Sequence, residues 1–126
     1  MRNLIIIGAG GFVGAIARYV VSGLVQQRTG SPFPVGTLAV NLIGCTMLGG
    51  LLALVETRPS LTPDTRMFLS VGILGSFTTF SAFGSETFDL ARTGLARIAV
   101  LNVMAHMLVG LMSVWAGRAG VRALIG

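Results

Sequence analysis

Four apolar runs, at residues 4–25, 35–55, 67–88 and 98–116, take up most of this chain. A membrane-spanning α-helix needs about 20 such residues, because the hydrocarbon layer is about 30 Å thick and each helical residue rises about 1.5 Å. Only 10% of the 126 residues are charged, against about 25% in a soluble domain. A water-soluble fold of this size has no way to cover itself with so few charges. The chain is read as one all-α integral membrane domain, residues 1–126, with four transmembrane helices.

The charges support that reading. All nine basic residues are arginines, scattered at positions 2, 18, 28, 58, 66, 92, 97, 118 and 122. A nucleic-acid surface clusters its basic residues on one face, whereas these mostly flank the apolar runs, as membrane-bordering charges do. Four spans place both termini on one side, with Arg2, Arg58, Arg66, Arg118 and Arg122; Arg28, Arg92 and Arg97 fall on the other, with Arg18 toward it. Such a weak imbalance permits insertion in both orientations. The polar connections are residues 26–34, with Gly30, Pro32 and Pro34, and 56–66, with Pro59 and Pro63. Within the latter, Thr62-Pro63-Asp64 is a helix-start pattern. Cys45 is the only cysteine and sits in an apolar run, as a small buried hydrophobe does.

Two features of the N-terminal run point elsewhere and are set aside. Leu4-Ile5-Ile6-Ile7 followed by Gly8, Gly11 and Gly14 imitates a dinucleotide-binding turn. That motif requires an acid about 20 residues further on, within a βαβ unit, to hold the ribose. The first acid here is Glu56, and no second strand precedes it. Gly10 and Gly14 instead form a GxxxG pair that lets two helices approach closely. Arg2, the apolar run and Ala15-Ile16-Ala17 also resemble a signal peptide with its cleavage site. The apolar pattern continues past that site and removal would leave three spans, so the segment is expected to be retained.

The polar residues inside the runs are the functional candidates, since ionisable and polar groups are costly in hydrocarbon. Arg18 lies in the last third of the first run, Asn41 in the second with Thr37 one turn before it. The third run carries Gly72 and Gly75 and then Ser76-Phe77-Thr78-Thr79-Phe80-Ser81-Ala82-Phe83. Hydroxylated and small residues at mid-depth fit either a helix break, whose freed backbone groups they satisfy, or a tight helix–helix packing face. In the fourth run Asn102, His106, Gly110 and Ser113 recur on one helical face. No second histidine and no intramembrane carboxylate lie near His106 in sequence, so neither a metal site nor a proton relay is assigned to it. Glu86, Asp89, Arg92 and Arg97 are expected to be solvated or interfacial charges. No catalytic triad, metal cluster or phosphate loop is present in the sequence, and the chain is not read as an enzyme.

Three blocks resemble the Fluc (CrcB) fluoride channel family. Gly72-Ile73-Leu74-Gly75-Ser76-Phe77-Thr78-Thr79-Phe80-Ser81-Ala82-Phe83 is similar to its Gly-x-x-Gly-Gly-Phe-Thr-Thr-Phe-Ser-Thr-Phe signature, with Ser76 for the usual glycine and Ala82 for the usual threonine. The segment from Gly10 to Tyr19 is similar to the family's Gly-Gly-x-x-Gly-Ala-x-x-Arg-Tyr pattern, and the segment from Gly36 to Gly44 to its Gly-Thr-Leu-x-Val-Asn-x-x-Gly block.

The resemblance implies a dual-topology, antiparallel homodimer in a microbial inner membrane. It implies a third helix broken near its middle and two pores between the subunits. The fluoride path it implies runs past Asn41, Thr79, Phe80, Ser81 and Phe83, and more weakly past His106 and Ser113, with Arg18 in a vestibule or structural role. It also implies a structural Na⁺ on the dimer axis, held by the backbone carbonyls of Gly75 and Thr78 from each subunit. The expected function is passive export of F⁻. The alternative weighed is a dual-topology, proton-coupled small multidrug exporter, for which the first three runs lack the expected intramembrane carboxylate.

Overall fold

The protein was analysed as a computed structural model that describes residues 1–58 and 61–125; the expected loop residue Pro59 lies outside them. The described residues form helices α1 (Arg2–Thr29), α2 (Val35–Thr57), α3 (63–77), α4 (Phe80–Arg92) and α5 (Ala96–Ile125), with no β-strand among them. Four units are long and apolar enough to cross a membrane: α1, α2, α3 together with α4, and α5. Each extends beyond its apolar run. The 28 residues of α1 span about 42 Å at about 1.5 Å per residue, more than the hydrocarbon layer. The helix therefore carries Arg2 and Arg28 out to the two polar interfaces.

Local chemistry ends the helices where the chain must turn. Gly30, at φ 57°, closes α1, its N–H donating to the Gln26 carbonyl at 3.2 Å. The Gln26 side chain then pins the connection. Its Nε2 donates to the Ser31 and Phe33 carbonyls at 2.9 and 3.2 Å, and its Oε1 accepts from the Gly36 N–H at 3.0 Å. The Thr62-Pro63-Asp64 pattern does start a helix: Thr62 Oγ1 accepts from the Thr65 N–H at 3.2 Å, with Pro63 in the first turn. Between α4 and α5 the chain reverses through Gly94, at φ 86°. There Leu95 N–H donates to the Leu90 carbonyl at 2.9 Å and Gly94 N–H to Ala91 at 3.4 Å, the paired bonds of a Schellman cap.

Helix packing relies on missing side chains. α1 crosses α3 where Gly10 meets Phe68 and Gly72, and a Cβ at Gly10 would sit 2.7 Å from the Phe68 carbonyl oxygen and 2.8 Å from the Gly72 Cα. A Cβ at Gly14 would collide with the Ile73 carbonyl. The GxxxG pair thus faces another helix of the same chain. α2 meets the second half of α5 the same way, Gly49 lying on the Val114 carbonyl and Gly117 on that of Thr46. Lipid offers no hydrophobic drive between helices, so close backbone packing is what holds them. At the end carrying both termini, Glu56 binds Arg118 at 2.6 Å and Arg122 at 2.8 Å, and Asp64 binds Arg2 at 3.2 Å. These partly exposed pairs contribute little individually.

The outer face is apolar. Leu4, Phe12, Tyr19, Leu111 and Trp115 are each at least 70% exposed, which suits hydrocarbon rather than water. Replacing Gly14 by Val forces α1 away from the Ile73 backbone. An overpacking cost of about 1–3 kcal/mol is expected, measured as reduced resistance to denaturation of purified protein in detergent.

Candidate functional site

Two residues with extended dihedrals separate α3 from α4: Thr78 at φ −82°, ψ 156° and Thr79 at φ −149°, ψ 113°. Extended backbone at membrane depth leaves N–H and C=O groups without helical partners, and each costs several kcal/mol if unmet. Asn41 meets two of them. Its Oδ1 accepts from the Thr79 N–H at 2.8 Å and its Nδ2 donates to the Thr79 carbonyl at 3.1 Å. In a continuous helix the Thr79 N–H would go to the Gly75 carbonyl. Its diversion to Asn41 leaves that carbonyl free of it. Arg18 meets a third group, Nε donating to the Ser76 carbonyl at 3.1 Å, a cation at a helix C-terminus as the dipole favours.

The remaining local bonds hold the turn in shape. Thr78 Oγ1 donates to the Leu74 carbonyl at 3.0 Å, and Thr78's methyl lies so close over Gly44 that no Cβ fits there. Thr79 Oγ1 caps α4 by accepting from the Ala82 N–H at 3.2 Å, and lies 3.2 Å from Ser81 Oγ.

A cavity of about 310 Å³ opens beside this turn. Asn41, Thr79, Phe80, Phe83 and His106 line it, with Gly75 and Thr78 in the same wall. The rings form a row: Phe80 and Phe83 have centroids 5.3 Å apart with planes at 52°, and Phe83 and His106 are 4.4 Å apart at 42°. Phe83 is buried, whereas Phe80 is 75% exposed in the single chain. The cavity therefore gathers five of the seven residues expected along the path. Ser81 and Ser113 lie outside its lining, and Ser113 Oγ donates to the Val109 carbonyl at 2.7 Å. A wide π-helical segment at Ala105–Val109 contains His106 and precedes Ser113, which changes the regular spacing that put both on one face.

A second cavity, about 490 Å³, lies at the end of the molecule bearing the 26–34 connection and is lined by Gln26, Thr37, Glu86 and Asp89 among others. Arg18 is not in its lining. Glu86, expected to be a solvated or interfacial charge, is half-buried beside this cavity. Its Oε1 accepts from Thr37 Oγ1 at 2.6 Å and its Oε2 is buried. Thr37 itself is buried, and Asn102 is fully so, its Nδ2 donating to Thr87 Oγ1 at 2.9 Å. The sequence signal for Glu86 was its place one turn beyond Phe83, on the face that Phe80 and Phe83 already mark. Among the described residues no cluster of His, Cys, Asp and Glu is arranged to hold a metal.

Four membrane-length helices around polar cavities define a multi-pass membrane protein. The family model described as CrcB-like protein, Camphor Resistance (CrcB), matches residues 5–118, and the chain belongs to that family. It is 41% identical over 118 residues to the fluoride-specific ion channel FluC of Methylobacillus flagellatus, covering 93% of this chain and 92% of the relative. It is 40% identical over 124 residues to FluC of Citrifermentans bemidjiense, covering 98% and 100%. It is also 40% identical over 118 residues to FluC 3 of Methanosarcina barkeri, covering 94% and 89%.

Asn41→Leu removes both partners of Thr79. A loss of about 1–3 kcal/mol for each orphaned group is expected, read as a lowered midpoint of thermal unfolding in detergent. Asn41→Asp keeps the acceptor for the Thr79 N–H but sets an oxygen against its carbonyl, so it should recover only part of the loss.

Proposed function

We propose that this protein is a passive, fluoride-selective channel that lets F⁻ leave a microbial cytoplasm across the inner membrane. The observation that carries the reading is the row Phe80–Phe83–His106 beside Asn41 in one cavity, at centroid spacings of 5.3 and 4.4 Å, in a chain whose relatives are named fluoride-specific ion channels. Fluoride is small and strongly hydrated, so a path must replace its water without trapping it. Phenylalanine offers a positive ring edge without a full charge. The Asn41 amide has two hydrogens, and one is engaged with Thr79; the other is a donor for the anion. Ser81 contributes a hydroxyl near the turn, and Ser113 extends the polar track along α5. Fluoride enters cells as neutral HF and dissociates inside, so an uncoupled route outward suffices.

The assembly proposed is an antiparallel, dual-topology homodimer with a broken third span at its centre and two pores between subunits. Support comes from exposure: Phe80 is 75% exposed and Gly75 is open to the outside at a depth where hydrocarbon would otherwise face a polar turn. A second copy of the same face covers both, as two-fold symmetry requires. A structural Na⁺ fits the same place. The Gly75 carbonyl is released from its helical partner, and Thr78 lies in the same cavity wall. Carbonyl oxygens alone are the donor set of a hard cation. Gly75 and Thr78 of each copy would hold the ion, whose charge would tie the carbonyl-bearing ends of the two α3 helices together. A multidrug exporter is not favoured, since the relatives' names point to an ion channel.

The test is fluoride efflux from liposomes holding purified protein, beside chloride, for wild type and Phe80→Ile. Rapid fluoride efflux without chloride efflux, lost in Phe80→Ile, is the expected outcome. Efflux of neither anion from a folded dimer would overturn the channel reading. Efflux is further expected to fall when Na⁺ is replaced throughout by a large organic cation, with the dimer loosened in the same buffer.

A further inference from the structure

Three buried acceptor atoms at the contact between α4 and α5 have no hydrogen-bond partner: Glu86 Oε2, Asn102 Oδ1 and His106 Nε2. The neighbouring groups are bonded as follows. Thr37 donates to Glu86 Oε1 at 2.6 Å. Asn102 Nδ2 donates to Thr87 Oγ1 at 2.9 Å, and the Thr87 hydroxyl donates to the Phe83 carbonyl at 2.6 Å. His106 Nδ1 lies 3.0 Å from the Asn102 carbonyl oxygen. That oxygen can only accept, so Nδ1 carries the hydrogen and Nε2 of the neutral ring presents a lone pair. The three groups meet at one helix contact: Glu86 adjoins Thr87, the partner of Asn102, and His106 sits one turn beyond Asn102.

Buried polar groups are normally paired, and here three acceptors are left without a hydrogen. An added anion deepens that imbalance, and an added hydrogen relieves it. We infer that Glu86, Asn102 and His106 form a proton-binding site beside the ion path, and that its occupancy sets how readily an anion passes. The second half of this statement rests on the fluoride reading above; the first does not. A proton on Glu86 Oε2 removes a negative charge from the wall of the second cavity. A proton on His106 Nε2 converts a lone pair into a donor in the group that lines the central cavity with Phe80 and Phe83. Both changes favour an anion, so acid promotes passage.

The other charged or titratable neighbours do not supply the missing hydrogen. Cys45 on α2 shares the central cavity with His106 and has no bond to it. Asp89 on α4 is paired with Arg92 at 3.1 Å, and Arg18 on α1 is committed to the Ser76 carbonyl. From residue 67 to 77, α3 has no ionisable side chain.

His106 is the chain's only histidine, so its ring nitrogens can be followed without ambiguity by ¹⁵N NMR of histidine-labelled protein in bilayers. Those signals would be recorded from about pH 8 to about pH 5, where an imidazole ordinarily changes charge. Fluoride efflux would be measured over the same range with the leak of protein-free vesicles subtracted. Wild type and Glu86→Gln, a neutral stand-in for the protonated acid, would be compared. The expected result is a several-fold rise in wild-type efflux on acidification, a flatter profile in Glu86→Gln, and His106 signals that move with pH over a different interval in the two proteins. Signals that stay invariant across the range in folded wild type would mean that water satisfies the three acceptors, and would overturn the inference whatever the efflux does. Signals that move while efflux is absent at every pH would support the proton site and overturn the fluoride reading instead.

Discussion

The carboxamide of Asn41 grips the backbone of Thr79 through both its oxygen and its nitrogen, and the working part of the molecule depends on that pairing. In hydrocarbon a chain cannot leave helical geometry unless something replaces the hydrogen bonds it gives up. Water does so in a soluble protein. Here a side chain from the neighbouring helix takes over, and Arg18 from a third helix takes the Ser76 carbonyl. The extended pair Thr78–Thr79 can then aim Phe80 and Phe83 at a cavity instead of continuing the α3 spiral. The Gly75 carbonyl is freed in the same step.

That grip works only if α2 and α3 are close enough for a short side chain to reach. Small residues set the distance. Gly44 accepts the Thr78 methyl, and Gly10, Gly14 and Gly72 bring α1 and α3 almost into backbone contact. Glycine-mediated packing is therefore part of the site's construction as well as of its stability. It fixes the frame to within the reach of an asparagine, a tolerance too tight for larger residues at these crossings.

The central cavity is polar without a fixed positive charge in its lining. Aromatic rings, an amide and hydroxyls line the central cavity, while the carboxylate of Glu86 stands in the second one, held by Thr37. A full positive charge in a low-dielectric wall would bind a small anion too tightly to release it. Neutral donors avoid that trap. The unpaired acceptors of Glu86, Asn102 and His106 then make the balance of hydrogens, rather than of fixed charges, the quantity on which the site turns.

Much of this was legible in the chain alone. Apolar run length settled that there are four membrane-length helical units, because the bilayer's thickness translates directly into residues. Short-range rules likewise located the Thr62 cap and the GxxxG pair, since both depend on neighbours within one or two turns. The companions of the site were not legible. Thr37 and Glu86 are 49 residues apart, and nothing in local spacing says that a carboxylate near the end of one span will be held by a hydroxyl of another. Ser113 was placed on the face of His106 by regular α-helical periodicity, which the π-helical segment around His106 alters. Sequence alone determined what must be buried in lipid and which residues are small enough to let helices touch. Only the tertiary structure decided which polar atoms meet, because a hydrogen bond at about 3 Å depends on the summed rotations and offsets of two helices, and no local pattern carries that sum.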